Sequence, residues 1–174
     1  MNALHVEKSH WTARELSLTA AMTAVVFFLT FVPKIPIPLG YAHLGDAAIF
    51  VIVCLVGRRE GIFAACLGSM LADLVGGFPL WVGPTLVIKW AMAWTFLQVR
   101  GKLDDDFVKS PRTLGALILA CLVMAAGYTV CGAVLYDSWA AGLASAPGLL
   151  AEGAVNILAF YGAIKPLQKF IKMI

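Results

Sequence analysis

A chain of 174 residues with 61% hydrophobic and only 13% charged side chains, at a mean hydropathy of +0.88, lies outside the range of water-soluble domains and reads as one compact membrane domain over residues 1–174. The apolar residues fall in several long blocks, which excludes a single anchor carrying a soluble domain. The net charge of +3 is explained below by topology, so it gives no reason to expect a nucleic-acid partner.

Glu7, Lys8, Arg14 and Glu15 precede the first apolar run. That run outlasts a signal-peptide core and lacks an early small-residue cleavage site. The expected spans are roughly 14 to 32, 44 to 57, 60 to 76, 83 to 99, 113 to 136 and 147 to 165, to within about 2–4 residues. This is an all-α bundle of six transmembrane helices.

Span 1 carries a smooth stripe of Ser17, Ala20, Ala21 and Ala24. Such a stripe lets another helix approach closely, either within the bundle or in a partner subunit. The connection "FVPKIPIPLGYAHLGD" places Pro33, Pro36 and Pro38 at close spacing, which prevents helix 1 from continuing and predicts a stiff apolar strap. Gly40 and Gly45 let the chain turn around Tyr41 and His43, and Asp46 can either cap helix 2 or contact a ligand.

Span 2 is short, since only Ala47 to Gly57 is continuously uncharged. Arg58, Arg59 and Glu60 force a break before span 3, whose Gly61, Ala65, Gly68 and Ala72 form a second small-residue stripe ending at Asp73. "GGFPLWVGP" repeats the mixture of glycine, proline and aromatic residues, and Pro84 suits the first turn of span 4. Lys89 lies inside span 4, with Thr85 on its face and Trp90 and Trp94 after it. Asp104, Asp105 and Asp106 read as a solvated turn. Span 5 places Tyr128 and Thr129 near its far end. Trp81, Tyr136 and Trp139 suit an interfacial belt. Span 6 sets Glu152 and Asn156 one turn apart on one face.

With a cytoplasmic N-terminus, the inner segments hold Lys8, Arg14, Arg58, Arg59, Arg100, Lys102, Lys109, Arg112, Lys165, Lys169 and Lys172, whereas the outer connections hold Lys34 alone. The positive-inside rule then puts both termini in the cytoplasm. Depth can be counted from the outer side at ~1.5 Å per residue. Asp46 begins helix 2, Asp73 ends helix 3, Lys89 lies roughly 9 Å into helix 4 and Glu152 roughly 8 Å into helix 6. All four fall in the outer half. An ionised side chain in a helix centre costs ~2.5–3.5 kcal/mol on insertion scales, so such residues face a bundle interior or a wet cavity. One alternative is a purely structural ion pair of Lys89 with Asp46 or Asp73. Three acids against one base, however, leave charge that a ligand, water or a proton must satisfy.

Several chemistries lack their motifs. Cys54, Cys66, Cys121 and Cys131 form no CxxC pair, so redox catalysis and a metal site are not expected. HExxH, GxSxG and a glycine-rich phosphate loop are missing as well. Neither enzyme activity nor a cofactor is predicted.

The ordered segments "GYAHLGDAAIF", "GRREGIFAACLGSMLADLVGGFPLW" and "PTLVIKWAMAW" resemble the substrate-binding S components of energy-coupling-factor (ECF) vitamin transporters, in the branch around riboflavin-type and related small-vitamin carriers. The resemblance covers roughly residues 12 to 168. It implies a protein of the prokaryotic plasma membrane that binds a vitamin or precursor from outside, beneath the connections following helices 1, 3 and 5. It further implies association with a transmembrane coupling subunit and two ATPases, release of cargo by toppling in the bilayer, and ATP chemistry confined to those partners. Ala20 and Ala24 match the AxxxA docking motif of helix 1, and His43, Asp46, Asp73 and Lys89 match recurring family positions. Tyr41, Trp81, Tyr128, Glu152 and Asn156 complete the candidate substrate site on depth and chemistry. Surplus carboxylate beside aromatic faces favours a small heterocycle such as pyridoxine or hydroxymethylpyrimidine. Riboflavin is the alternative cargo, and a stand-alone secondary transporter of a small metabolite the alternative class.

Overall fold

The computed structural model describes residues 11–101 and 107–171. Lys8, Lys102, Lys172 and the acidic turn Asp104, Asp105 and Asp106 lie outside the described residues. Six α-helices follow in order: α1 (Ala13–Phe31), α2 (Gly45–Leu55), α3 (Arg58–Gly76), α4 (Val82–Val99), α5 (Pro111–Leu135) and α6 (Trp139–Ile171). Four of them are long and apolar enough to cross a membrane: α1, α4 together with the preceding turn, α5, and α6 as far as Leu167.

Helix α2 is half-length. Its 11 residues rise roughly 16 Å, about half a hydrocarbon core of ~30 Å. Every residue from Gly45 to Cys54 is buried, because α2 is apolar on all sides and packs against α1, α3, α4 and α6. A helix enclosed by its neighbours is freed from matching the bilayer thickness. Phe50 of α2 meets Phe96 of α4 and Phe160 of α6 with ring centroids 5.0 to 6.5 Å apart.

The two small-residue stripes have different uses. On α3, Gly61, Ala65, Gly68 and Ala72 are buried. A Cβ at Gly68 would lie 2.7 Å from the Thr23 carbonyl oxygen, and one at Gly61 2.8 Å from Val53 Cγ1. This stripe therefore sets the approach of α1 and α2. On α1 only Thr19, Val26 and Thr30 are buried, while Ser17, Ala20, Ala21 and Ala24 face outward. Helix α1 starts in a capping box between Thr12 and Glu15.

Two features depart from the sequence expectation. The proline strap is a two-stranded antiparallel hairpin, β1 (Ile35–Ile37) and β2 (Gly40–Ala42), with Pro36 opposite Tyr41. Its turn holds Leu39 at φ 64, a left-handed conformation disfavoured for a side chain with a Cβ. Packing offsets that cost: Leu39 sits over Gly132 of α5, and Ile37 over Gly148 of α6, where a Cβ would meet them at 3.1 and 3.0 Å. The other departure is α6, which begins at Trp139 and carries Pro147 within it. Proline there forfeits one backbone hydrogen bond, but the helix is held to α5 at Gly142, whose missing Cβ would lie 2.6 Å from the Thr129 carbonyl oxygen.

Candidate functional site

The hairpin, the α3–α4 connection and the adjoining ends of α5 and α6 enclose a recess of about 60 Å³. Tyr41, His43, Asp73, Phe78, Trp81, Tyr128 and Glu152 contribute its polar and aromatic lining. Asp46, Lys89 and Asn156 do not line it. They lie beneath, and are 0%, 1% and 0% exposed.

Asp73 reaches the wall because α3 stops there. Gly77 takes the left-handed C-cap position at φ 86 and returns its N–H to the Asp73 carbonyl. The Asp73 carboxylate then collects donors from two elements: Tyr41 Oη donates to Oδ1 at 3.2 Å, and Thr85 Oγ1 donates to Oδ2. Tyr128 Oη donates in turn to Thr85 at 3.0 Å. This chain ties the hairpin to α3, α4 and α5. Burial, followed by the Asp73 charge, pushes the Tyr41 phenol well above its ordinary range and keeps it a donor.

The floor is an ion pair in which Lys89 Nζ donates to Asp46 Oδ1. Lys89 Nζ also lies 5.3 Å from the Tyr128 ring centroid. Of the two readings of Asp46, the cap does not hold: Leu44 occupies the cap position, and Asp46 sits inside the first turn. Two first-turn amides of α2 find side-chain acceptors elsewhere. Gly45 N donates to His43 Nδ1 at 3.2 Å, and Ala47 N donates to Asn156 Oδ1 at 2.8 Å. Asn156 Nδ2 donates to the carbonyls of His43 at 2.7 Å and Glu152 at 3.0 Å. Asn156 is thus a brace, fully used in positioning α2 against α6.

Glu152 and His43 form the opposite wall. Glu152 Oε1 accepts from the His43 backbone N–H at 3.3 Å and lies 3.2 Å from His43 Nδ1. Burial, and after it the positive charge of Lys89, pulls the His43 imidazole down to about 4, so it is neutral near pH 7.

The remaining predictions divide. Trp81 lines the recess and donates from Nε1 to Tyr136 Oη at 3.3 Å. Trp90 and Trp94 instead stack on one another, 6.1 Å between centroids, on the exposed side of α4. Sequence reasoning missed Phe78, Leu149 and the turn residues Pro38 and Leu39. The signal for Phe78 was present in "GGFPLW", but nothing in the sequence gave the direction of its ring. Among the described residues no group of His, Cys, Asp and Glu is placed to hold a metal ion, and the four cysteines are free thiols.

The family described as "ECF-type riboflavin transporter, S component" matches residues 10–169. The chain belongs to the ECF S components. As such it is a multi-pass protein of the prokaryotic plasma membrane and a substrate-binding subunit for vitamin-type uptake, not an enzyme. The S component is 37% identical over 109 residues to an uncharacterized protein of Pyrococcus woesei, covering 62% of this chain and 70% of that one. It is 28% identical over 134 residues to the thiamine precursor transporter HmpT of Lactococcus lactis, covering 75% and 74%. Its fold matches the solved S component of a bacterial ECF transporter with a TM-score of 0.73 at 19% identity, over 91% of this chain and 98% of that one.

Proposed function

We propose that this S component captures a small, single-ring vitamin or vitamin precursor from outside the cell and passes it to an ATP-driven coupling module. The observation that carries the reading is convergence: polar side chains from the hairpin, α3, α5 and α6 meet on one recess at one end of the bundle. That end holds Lys34, whereas Arg58, Arg100 and Arg112 cluster where α3, α4 and α5 meet the opposite connections, which supports an outward-facing recess. Room for about four to six waters corresponds to roughly 120–180 Å³ of liquid, the size of one substituted ring. Pyridoxine and hydroxymethylpyrimidine are of that size, and the similarity to a thiamine precursor transporter favours the second. Riboflavin, the cargo in the family's description, has a three-ring system and requires the hairpin to move.

The outward stripe with Ala20 and Ala24 is the proposed docking face for the coupling subunit, and two ATPases supply the energy. Purified protein incubated with a panel of radiolabelled vitamins and precursors should bind one of them saturably without partner subunits. Saturable binding of none would remove the reading. Ala20→Trp should leave that binding unchanged while lowering ATP-driven uptake in cells at least severalfold; normal uptake would take the docking role from α1.

A further inference from the structure

Most polar groups around the recess already have partners. Tyr41 and Thr85 donate to Asp73, Tyr128 to Thr85, and Trp81 to Tyr136. Ser145 Oγ donates to the Gly142 carbonyl at 2.7 Å. Each Asp73 oxygen has received a hydroxyl. On the lining itself two atoms remain among the described residues; Asp46 Oδ2 and Ser69 Oγ also lack partners but lie off the recess. Glu152 engages the protein through Oε1 alone, so Oε2 keeps its acceptor capacity. His43 accepts from Gly45 N–H on Nδ1, so the ring proton resides on Nε2 and that N–H is an available donor.

The 3.2 Å approach of Glu152 Oε1 to His43 Nδ1 brings two acceptors together, and a proton carried on the carboxyl would relieve it by sharing the Nδ1 lone pair with the Gly45 N–H. The free ends are the same with or without it: Oε2 accepts and Nε2–H donates. Both atoms open on the recess, where water can meet them; a ligand that displaces that water and leaves either one unpaired loses affinity.

Resting on the reading of the recess as the cargo site, the geometry points to Glu152 and His43 as the pair that sets specificity, selecting a monocyclic nitrogen heteroaromatic with an exocyclic amino donor for Glu152 and a ring-nitrogen acceptor for His43. Tyr128, Trp81, Tyr41 and Phe78 supply aromatic surface for such a ring. A carbonyl oxygen in place of the amino group would face Glu152 acceptor to acceptor. An imide edge, with two acceptors flanking one donor, presents the wrong pattern to this wall.

The test uses the full-length protein in detergent and two probes, an aminopyrimidine bearing a hydroxymethyl group and its analogue with a carbonyl oxygen replacing the amino group. The amino probe should bind on the order of ten- to a hundredfold more tightly. Glu152→Gln, which offers an N–H donor, should lower that ratio at least tenfold. His43→Asn can still accept from the Gly45 amide through an Asx turn; it should weaken the amino probe at least severalfold and the carbonyl analogue less, because the ring nitrogen beside that carbonyl carries a proton and offers Nε2–H no acceptor. Thermal unfolding of each variant establishes that it is folded before its ratio is read. Equal or tighter binding of the carbonyl analogue, or a ratio untouched in folded Glu152→Gln, overturns the assignment. Binding of pyridoxine or riboflavin but of neither probe overturns it too, while leaving the cargo-site reading intact. Binding of nothing in the vitamin panel removes both.

Discussion

Asp46 and Glu152 are buried to similar degrees, 0% and 5% exposed, yet they hold opposite positions. Asp46 is part of the floor, with Lys89 in direct contact at Oδ1, and has no place in the recess lining. Glu152 lines the recess, contacts only the neutral His43 and a backbone amide, and keeps one oxygen unused. Burial therefore does not distinguish an acid packed away from the recess from one on its lining. Access does; unused capacity does not, since Asp46 Oδ2 is also without a partner among the described residues.

The largest way to break this contrast is at the floor. Lys89→Leu alone strands a buried carboxylate and should cost about 3–5 kcal/mol, whereas Lys89→Leu with Asp46→Leu should recover most of it. Thermal unfolding and monodispersity in detergent measure both. If the floor is structural, the folded double variant keeps the cargo affinity of the parent within about an order of magnitude; complete loss of binding would place the pair in the site after all.

On the wall, pH sharpens the comparison. His43 titrates near 4 when folded, against 6.5 for an ordinary histidine. Between these values the unfolded chain binds the extra proton, so the contribution is full above about pH 6.5 and is lost as pH falls toward 4. It amounts to a few kcal/mol at most. The unfolding midpoint of the parent should decline over that window relative to His43→Asn, and parallel profiles would remove the effect. The smallest expected change is at the hairpin. Tyr41→Phe deletes one partly buried hydrogen bond to Asp73, worth about 0.5–1.5 kcal/mol, and hydrogen exchange in Ile35–Ile37 should quicken severalfold.

The helices and the depth of the polar ring were legible because charges interrupt long apolar runs. Depth alone located Asp73, Lys89 and Glu152 at one end of the bundle, and pairing of Lys89 with Asp46 was one of the alternatives foreseen. The hairpin was not legible: strands of three residues with Pro36 inside carry too little alternation to register against a proline signal that reads as strap. The start of α6 was hidden for a related reason. Pro147 marks a first turn by local preference, and only packing against α5 at Gly142 explains why the helix begins earlier. Likewise, Ala20 of α1 and Ala65 of α3 belong to similar stripes. Which one faces outward depends on the third dimension.

Leu39 gives the hairpin a mechanical character. Its φ of 64 stores about 1–3 kcal/mol of backbone strain, tolerated only while its side chain is seated over Gly132. That strain works against the contacts that Leu39 and Ile37 make with α5 and α6, so the hairpin is held less firmly than those contacts alone would hold it.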